Sequence, residues 1–184
     1  MRGEGMWNGR DEAFTAFMAA RYGSLLRTAT LLTGGVRPRA EDLAQEALLR
    51  TYRAWHRIGR LEAAEAYTRT TMVRLLVKDR RRRWNSEVPA EDLPELPEPG
   101  HEEEVATAVA VRELLRTIPP AQRAVLVLRF YHQLTEREIA DVLGCSPGTV
   151  KSRAARALAA LRAEGFPTTP VPDREIPERG HHDD

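Results

Sequence analysis

The sequence predicts an all-α protein in which two small helical domains are joined by an acidic, proline-rich linker. Apolar residues recur at three- and four-residue steps through most of the chain, as on a helix with one buried face, and no segment alternates as a strand does. The composition changes abruptly at residues 85–104, which hold four prolines and eight carboxylates but no basic side chain. Such a segment cannot bury a core and is expected to be a flexible linker.

The first domain, residues 11–84, is predicted to be a bundle of three helices. We expect these helices at about residues 11–33, 40–55 and 62–84. The second helix would carry Glu41 and Asp42 in its first turn, where carboxylates favour the helix dipole. On the third helix, the residues expected to face inward are Tyr67, Thr70, Val73, Leu76 and Val77.

The second domain, residues 105–162, is predicted to end in a helix-turn-helix. Two helices should precede this motif, at about residues 105–118 and 120–131. Thr135 and Glu138 have the spacing of a capping box, Gly144 is placed to end the helix that follows, and Ser146 with the next proline starts another. Two short helices joined by such a turn match the motif whose second helix enters the major groove of DNA.

The net charge of +1 conceals two basic blocks. Residues 1–84 carry a net charge of +8 and residues 105–162 carry +5, whereas the linker carries −8 and residues 163–184 carry −4. Basic blocks separated by acidic tethers are typical of a protein that meets a polyanion, so nucleic acid is the first candidate partner. The last segment, residues 163–184, is expected to be a disordered tail.

The composition argues against a membrane, disulfide or metal role. The longest aliphatic run is residues 125–128 and the first ten residues lack an apolar signal core, so we expect a cytoplasmic protein without membrane insertion. Cys145 is the lone cysteine, and the five histidines lack the spacing of metal ligands. We therefore expect no metal ion, no cofactor and no catalytic residue, and we expect Cys145 to be a small filler in the turn.

The second helix of the predicted helix-turn-helix has a basic outer face. Residues 147–162 contain four basic side chains and no acid, so this helix can approach phosphates without repulsion. The positions expected to point outward are Gly148, Thr149, Lys151, Ser152, Ala155 and Arg156. The alternative is a generic helical hairpin with a solvated, charged face.

An arginine run at residues 80–83 ends the third helix of the first domain. The same helix carries Arg69 and Arg74, and it is flanked by Tyr67 and Trp84. Cations and stackable rings on one surface are the combination that single-stranded nucleic acid binds. The alternative is that both rings belong to the core.

These motifs, in this order, resemble the extracytoplasmic-function (ECF) sigma factors, the two-domain bacterial relatives of sigma-70. The segments similar to sigma region 2 are residues 14–34, 40–55 and 67–84, and residues 115–161 are similar to region 4. The fine pattern at residues 14–17 and 31–34 is most similar to the SigE-like actinobacterial branch. The resemblance implies a protein that directs core RNA polymerase to specific promoters and helps to melt the start site.

The resemblance also implies roles for individual residues. The residues that would dock on the coiled coil of the largest polymerase clamp subunit are Asp42, Leu43, Gln45 and Glu46. Those that would hold the non-template single strand of the minus-10 element are Arg57, Arg60, Tyr67, Arg69, Arg74, Arg80 and Arg81. Those that would read the minus-35 element as duplex are Thr149, Lys151, Ser152, Arg153 and Arg156. The polymerase flap region and an anti-sigma factor are further implied partners.

Two departures from the family pattern leave the promoter preference open. Arg74 stands where the family very often has Asn, and Ala155 places a small side chain on the reading face. Two other classes of function remain alternatives at this point. A stand-alone helix-turn-helix regulator would bind operator DNA without polymerase, and a nuclease would need a carboxylate and histidine cluster that the sequence does not present.

Overall fold

The computed structural model describes residues 4–58, 60–83, 111 and 113–166, and every regular element within them is helical. The elements are α1 (Glu4–Thr33), α2 (Arg37–Ile58), α3 (Leu61–Arg83), α4 (Pro120–Leu126), a π-helical segment (Val127–Tyr131), α5 (Glu136–Leu143) and α6 (Pro147–Ala163). We call α1–α3 the N-terminal bundle and residues 113–166 the C-terminal bundle. The predicted linker, the start of the predicted 105–118 helix and most of the predicted tail lie outside the described residues.

The N-terminal bundle is held together by an apolar core and an aromatic cluster. Phe17, Leu25 and Leu32 of α1 are almost completely buried, and their spacing of seven or eight residues keeps them on one face of the helix. The ring of Phe14 meets the ring of Trp55 edge-on at 5.2 Å between centroids, a geometry in which the positive edge of one ring faces the π cloud of the other. These contacts fix α2 against α1.

The second helix begins earlier than predicted. It starts at Arg37 and has no acidic residue in its first turn, because the amide of Ala40 already donates to the carbonyl of Val36 at 2.9 Å. The expectation that Glu41 and Asp42 occupy the first turn was therefore wrong. Proline lacks the amide that a helix leaves unpaired in its first turn, so Pro38 allows the helix to start upstream of residue 40. The first helix likewise begins at Glu4 instead of residue 11.

The buried face of α3 also differs from the predicted one. Tyr67 is 40% exposed, while Thr68 and Met72 are completely buried. Threonine can be buried there because its hydroxyl finds partners: the Thr68 Oγ1 donates to the carbonyl of Ala64 and lies 2.8 Å from the Thr51 Oγ1 of α2. The inward position predicted for Tyr67 was therefore wrong, and Thr70, Leu76 and Val77, which were also predicted to face inward, are half-buried. Val73 is buried as predicted.

The C-terminal bundle contains the predicted helix-turn-helix. The capping box at the start of α5 is confirmed, with the Thr135 hydroxyl accepting from the amide of Glu138 and the Glu138 carboxylate accepting from the amide of Thr135. Gly144 ends α5 in the left-handed conformation at φ 61°, and the Ser146 Oγ caps α6 by accepting from the amide of Thr149. Val150, which was predicted to face inward, is buried.

The two bundles pack directly against each other. Val125, Leu128 and Ile139 of the C-terminal bundle belong to the same continuous buried cluster as Phe17 and Met72 of the N-terminal bundle. Helix α1 contacts α4 and the π segment, and α3 contacts α4 and α5. The described residues therefore form one body with a shared core.

Candidate functional site

The outer face of α6 presents two exposed cations. Lys151 and Arg156 are exposed, as is Ala155 between them. Thr149 and Ser152 are half-buried and engaged locally, since the Thr149 Oγ1 lies 2.9 Å from the Ser146 Oγ and the Ser152 Oγ donates to the carbonyl of Thr149. These residues form a small, basic surface on α6, the second helix of the helix-turn-helix.

Arg153 points toward the turn and away from this outer face. Its side chain is half-buried, and its Nη1 donates to the Cys145 Sγ at 3.7 Å. Cys145 is itself partly buried against the core, in agreement with the expected role of a small filler. In this arrangement Arg153 joins the two helices of the motif, whereas Lys151 and Arg156 face solvent.

The four residues predicted to dock a partner lie near the start of α2. Asp42 and Gln45 are exposed, while Leu43 and Glu46 are half-buried. The Glu46 carboxylate accepts a hydrogen bond from Nε of Arg50, one turn later, at 2.7 Å. Since residues three and four apart share a helix face, Asp42, Gln45 and Glu46 form one acidic and polar surface.

A cleft of about 410 Å³ adjoins this surface. Asp42, Leu43 and Glu46 line it on one side, and Pro120 and Arg123 of the C-terminal bundle line it on another. The remaining lining residues are Leu32, Thr33, Arg39, Leu75 and Leu76. The predicted docking residues are therefore next to the place where the two bundles meet.

The residues predicted to bind a single strand do not all share one face. Tyr67 and Arg74 are both exposed and lie seven residues apart, which puts them on the same side of α3. Arg57 and Arg60 are exposed at the turn that precedes α3. Arg69 is half-buried and turned about 200° from Tyr67, because each helical residue rotates by about 100°. The backbones of Arg80 and Arg81 continue α3, and their side chains lie outside the described residues.

Arg69 contacts a residue that sequence reasoning missed, His132. The Arg69 Nη1 lies 2.9 Å from His132 Nδ1, and the Thr28 Oγ1 of α1 lies 3.1 Å from His132 Nε2. Arginine only donates, so Nδ1 must accept and the ring must be the neutral tautomer with its proton on Nε2. The Thr28 hydroxyl donates to the carbonyl of Ser24 and can accept this proton, so both ring nitrogens are satisfied.

Burial, together with the positive charge of Arg69, lowers the pKa of His132 to about 4. A protonated ring would place an N–H of His132 against an N–H of Arg69. The neutral ring is therefore the form that fits between the two bundles.

Arg123 is a second residue that the sequence did not single out. It is only 7% exposed, its Nη2 donates to the carbonyl of Ile118 at 3.2 Å, and its Nε has no hydrogen-bond partner. Burial lowers the pKa of Arg123 to about 10, with the nearby charge of Arg39 acting in the same direction. The guanidinium packs over Gly34, where a Cβ would come within 1.9 Å of Nη1.

No group of histidine, cysteine or acidic side chains is arranged to hold a metal ion in the part of the chain that the structure describes. In the same part of the chain, no helix is both long enough and apolar enough to cross a membrane.

Two small helical bundles, one of which ends in a helix-turn-helix with a basic outer face, define a nucleic-acid-binding protein. The chain matches the family model described as Sigma-70 region 2 over residues 18–86 and the model described as Sigma-70, region 4 over residues 108–161. It is 40% identical over 151 residues to the RNA polymerase sigma-E factor of Streptomyces coelicolor, which covers 82% of this chain and 85% of that relative. It is 33% identical over 164 residues to the ECF RNA polymerase sigma factor SigL of Mycobacterium tuberculosis, covering 84% of this chain and 92% of the relative.

The chain therefore belongs to the sigma-70 family and is an RNA polymerase sigma factor of the ECF group, the class that directs core RNA polymerase to promoters. Its fold is similar to that of the sigma factor RpoE, solved in complex with the anti-sigma factor NepR from Bartonella quintana, with a TM-score of 0.63 and 22% identity over 83% of this chain and 96% of that one. The resemblance stated from the motifs is confirmed, and the family matches favour a sigma factor over a stand-alone regulator.

Proposed function

We propose that this sigma factor docks on core RNA polymerase through the acidic face of α2 and reads promoter DNA through α6 and α3. The observation that supports this most strongly is the solvent exposure of Lys151 and Arg156 on the second helix of a fully capped helix-turn-helix. A cationic side chain at such a position reaches phosphates or base edges when the helix enters the major groove. On this view Lys151 and Arg156 contact the minus-35 duplex, Thr149 and Ser152 approach it at the helix start, and Arg153 positions the helix.

The docking surface combines charge with an apolar anchor. Asp42 and Gln45 are exposed, and Leu43 is half-buried at the edge of the cleft. Interfaces of this kind are steered by complementary charge and held by a few buried side chains. We propose that a basic coiled coil in the clamp of the polymerase pairs with Asp42 and Glu46 while Leu43 packs against it. The polymerase flap would contact the C-terminal bundle.

The minus-10 surface combines one exposed ring with several cations. Tyr67 offers a face on which an unstacked base can lie, and Arg57, Arg60 and Arg74 are exposed around it. Base stacking on an aromatic side chain contributes about 1–3 kcal/mol, and arginines next to it track the phosphates. We propose that these residues trap the non-template strand once it unpairs, with Arg80 and Arg81 further along α3.

Trapping an unstacked base stabilises the open duplex without breaking any covalent bond. We therefore propose that the chain has no catalytic activity of its own and works in the cytoplasm, where bacterial core polymerase acts. An anti-sigma factor is a further proposed partner.

The test is binding to core RNA polymerase that lacks any sigma factor, measured by co-elution in size-exclusion chromatography. The wild-type protein should form a one-to-one complex, and the double variant Asp42→Lys/Glu46→Lys should bind at least tenfold more weakly. The matched control reverses two exposed acids elsewhere, Glu12→Lys/Glu164→Lys, and should bind as the wild type does. Equal binding by both double variants would contradict the proposed docking surface. No complex with the wild type, combined with tight binding to duplex DNA alone, would contradict the proposed function as a whole.

A further inference from the structure

The cleft beside α2 has a size and a lining that the proposed polymerase and DNA contacts do not explain. Its volume is about 410 Å³, within the range of sites that bind small organic molecules. Two arginines, Arg39 of α2 and Arg123 of α4, line it. Its apolar lining residues are Leu32, Leu43, Leu75, Leu76 and Pro120. The cleft therefore combines an apolar wall with two cations.

Arg123 is a buried cation whose hydrogen-bonding capacity is only partly used. Its side chain is 7% exposed, its Nη2 donates to the carbonyl of Ile118, and its Nε has no hydrogen-bond partner. A guanidinium has five N–H donors, and leaving a buried donor unpaired costs free energy. An acceptor that reaches the guanidinium of Arg123 from the cleft would offset this cost.

The positive charge of Arg123 has no counter-ion in the part of the chain that the structure describes. Among those residues, neither Arg39 nor Arg123 forms an ion pair or hydrogen bond with a carboxylate. Burial lowers the pKa of Arg123, and the neighbouring like charge of Arg39 acts in the same direction. A buried charge without a partner is costly, so an anion bound beside both arginines would be favoured.

The two acidic residues that line the cleft do not take the role of this counter-ion. The carboxylate of Glu46 accepts from Nε of Arg50 at 2.7 Å, and Arg50 is outside the cleft. Asp42 is exposed. The lowered pKa of Arg123 has burial and Arg39 as its causes, with no contribution from either carboxylate. The part of the cleft next to Arg39 and Arg123 is therefore cationic.

The lining of the cleft suits a small amphipathic anion. A guanidinium binds a carboxylate or a phosphate through two parallel hydrogen bonds, whereas leucine and proline side chains favour an alkyl chain. A water-sized group takes up about 30 Å³ of liquid, so a cleft of about 410 Å³ holds about a dozen non-hydrogen atoms. One alkyl chain of about ten carbons with a single anionic head has this size.

We propose that the cleft binds a single-chain amphipathic anion, with the head between Arg39 and Arg123 and the alkyl chain against Leu32, Leu75 and Pro120. The head is a carboxylate, as in a free fatty acid, or a phosphate, as in a single-chain phospholipid, because a guanidinium pairs with both. This inference goes beyond the proposed function and does not depend on it, since none of these five side chains has an assigned role in binding polymerase or promoter DNA.

The first arm of the test measures ligand binding to the full chain by isothermal titration calorimetry, below the concentrations at which micelles form. Decanoate and decyl phosphate carry the two kinds of head, decanol has the chain without the charge, and acetate and inorganic phosphate have the charge without the chain. At least one of the two charged amphiphiles should bind, and the tighter one identifies the head. The three control compounds should bind at least about tenfold more weakly. No binding of either charged amphiphile, or equal binding of decanol, would overturn the proposal.

The second arm locates the site with variants whose folding is checked by circular dichroism. Arg39→Gln and Arg123→Gln should each weaken binding of the tighter amphiphile about tenfold. The matched control Arg53→Gln removes the same charge from an exposed position of α2 outside the cleft and should bind as the wild type does. Leu75→Ala should weaken binding about threefold, whereas Leu49→Ala, at an exposed position outside the cleft, should not.

Arg39 is half-buried, so its replacement tests the site even if Arg123→Gln fails to fold. Equal binding by Arg39→Gln and Arg53→Gln would overturn the placement of the anionic head. Equal binding by Leu75→Ala and Leu49→Ala would overturn the placement of the chain. These outcomes are read without polymerase or DNA, so they are separate from the test of the proposed function.

Discussion

Acidification should favour separation of the two bundles, because it favours protonation of His132. While the two bundles are packed against each other, which we call the closed arrangement, burial together with the charge of Arg69 lowers the pKa of His132 to about 4. When the bundles separate, the ring becomes solvated and its pKa returns to about 6.5. The open form therefore binds a proton at a pH at which the closed form does not, and mildly acidic solution favours the open form.

The size of the effect follows from these two pKa values. The stabilisation of the closed arrangement is fully present above about pH 6.5 and declines as the pH falls toward 4. Between pH 7.5 and pH 5.5 the closed form should lose about 1.4 kcal/mol relative to the open form, which is about a tenfold shift in their ratio. The other groups around the ring do not oppose this shift. Thr28 does not titrate, and hydrogen bonds from the backbone amide and hydroxyl of Thr135 lower the pKa of Glu138, which therefore stays ionised.

The assay is the distance between spin labels on Ala20→Cys of α1 and Ala159→Cys of α6, both exposed positions, in a protein that also carries Cys145→Ser. It is recorded at pH 7.5 and pH 5.5. The wild type should gain the long-distance population at the lower pH. His132→Gln, which can hydrogen bond but does not titrate, should give the same distribution at both values. His56→Gln removes an exposed histidine of α2 and should behave as the wild type does. A pH response that persists in His132→Gln would refute the assignment to this ring.

Three further predictions concern stability and DNA binding. Gly34→Ala should lower the free energy of unfolding by about 1–3 kcal/mol, as measured by thermal melting, because φ is +73° there and the new Cβ would meet the Arg123 guanidinium. The control Gly23→Ala, at an exposed position within α1, should not lower the free energy of unfolding. Thr135→Ala should lower the free energy of unfolding by about 1 kcal/mol, because α5 loses its N-terminal cap. An unchanged midpoint of urea unfolding would contradict this prediction. Lys151→Ala should weaken duplex binding and lower the slope of log affinity against log salt by about 1, as measured by anisotropy titrations.

The structural features that the sequence predicted correctly are those determined by residues close together in the chain. The caps at Thr135, Gly144 and Ser146 depend on hydrogen bonds and backbone angles within one turn, and the structure has all three. The all-α class and the inward position of Val150 follow from periodicity, which is also local. Residue type and spacing carry this information directly.

What the sequence did not reveal depends on partners far along the chain. Thr28 and Arg69 lie 104 and 63 residues from His132, and no spacing rule connects them. Grouping Arg69 with Tyr67 was a different kind of error, because the helical period alone places residues two positions apart on different sides of α3. The site roles of the α2 and α6 residues remain predictions that the experiments above address.

The π-helical segment sets the direction in which the side chain of His132 points. Val127–Tyr131 winds with one more residue per hydrogen-bonded turn than an α-helix, and the amide of His132 donates to the carbonyl of Val127, five residues earlier. Deleting one residue here would restore α-helical winding and rotate His132 by about 100° relative to the helix before it, away from Thr28 and Arg69. The same deletion would rotate α5 and α6 relative to α4, against which α6 packs, so the winding of this segment sets both the contact of His132 and the direction of the DNA-facing helix.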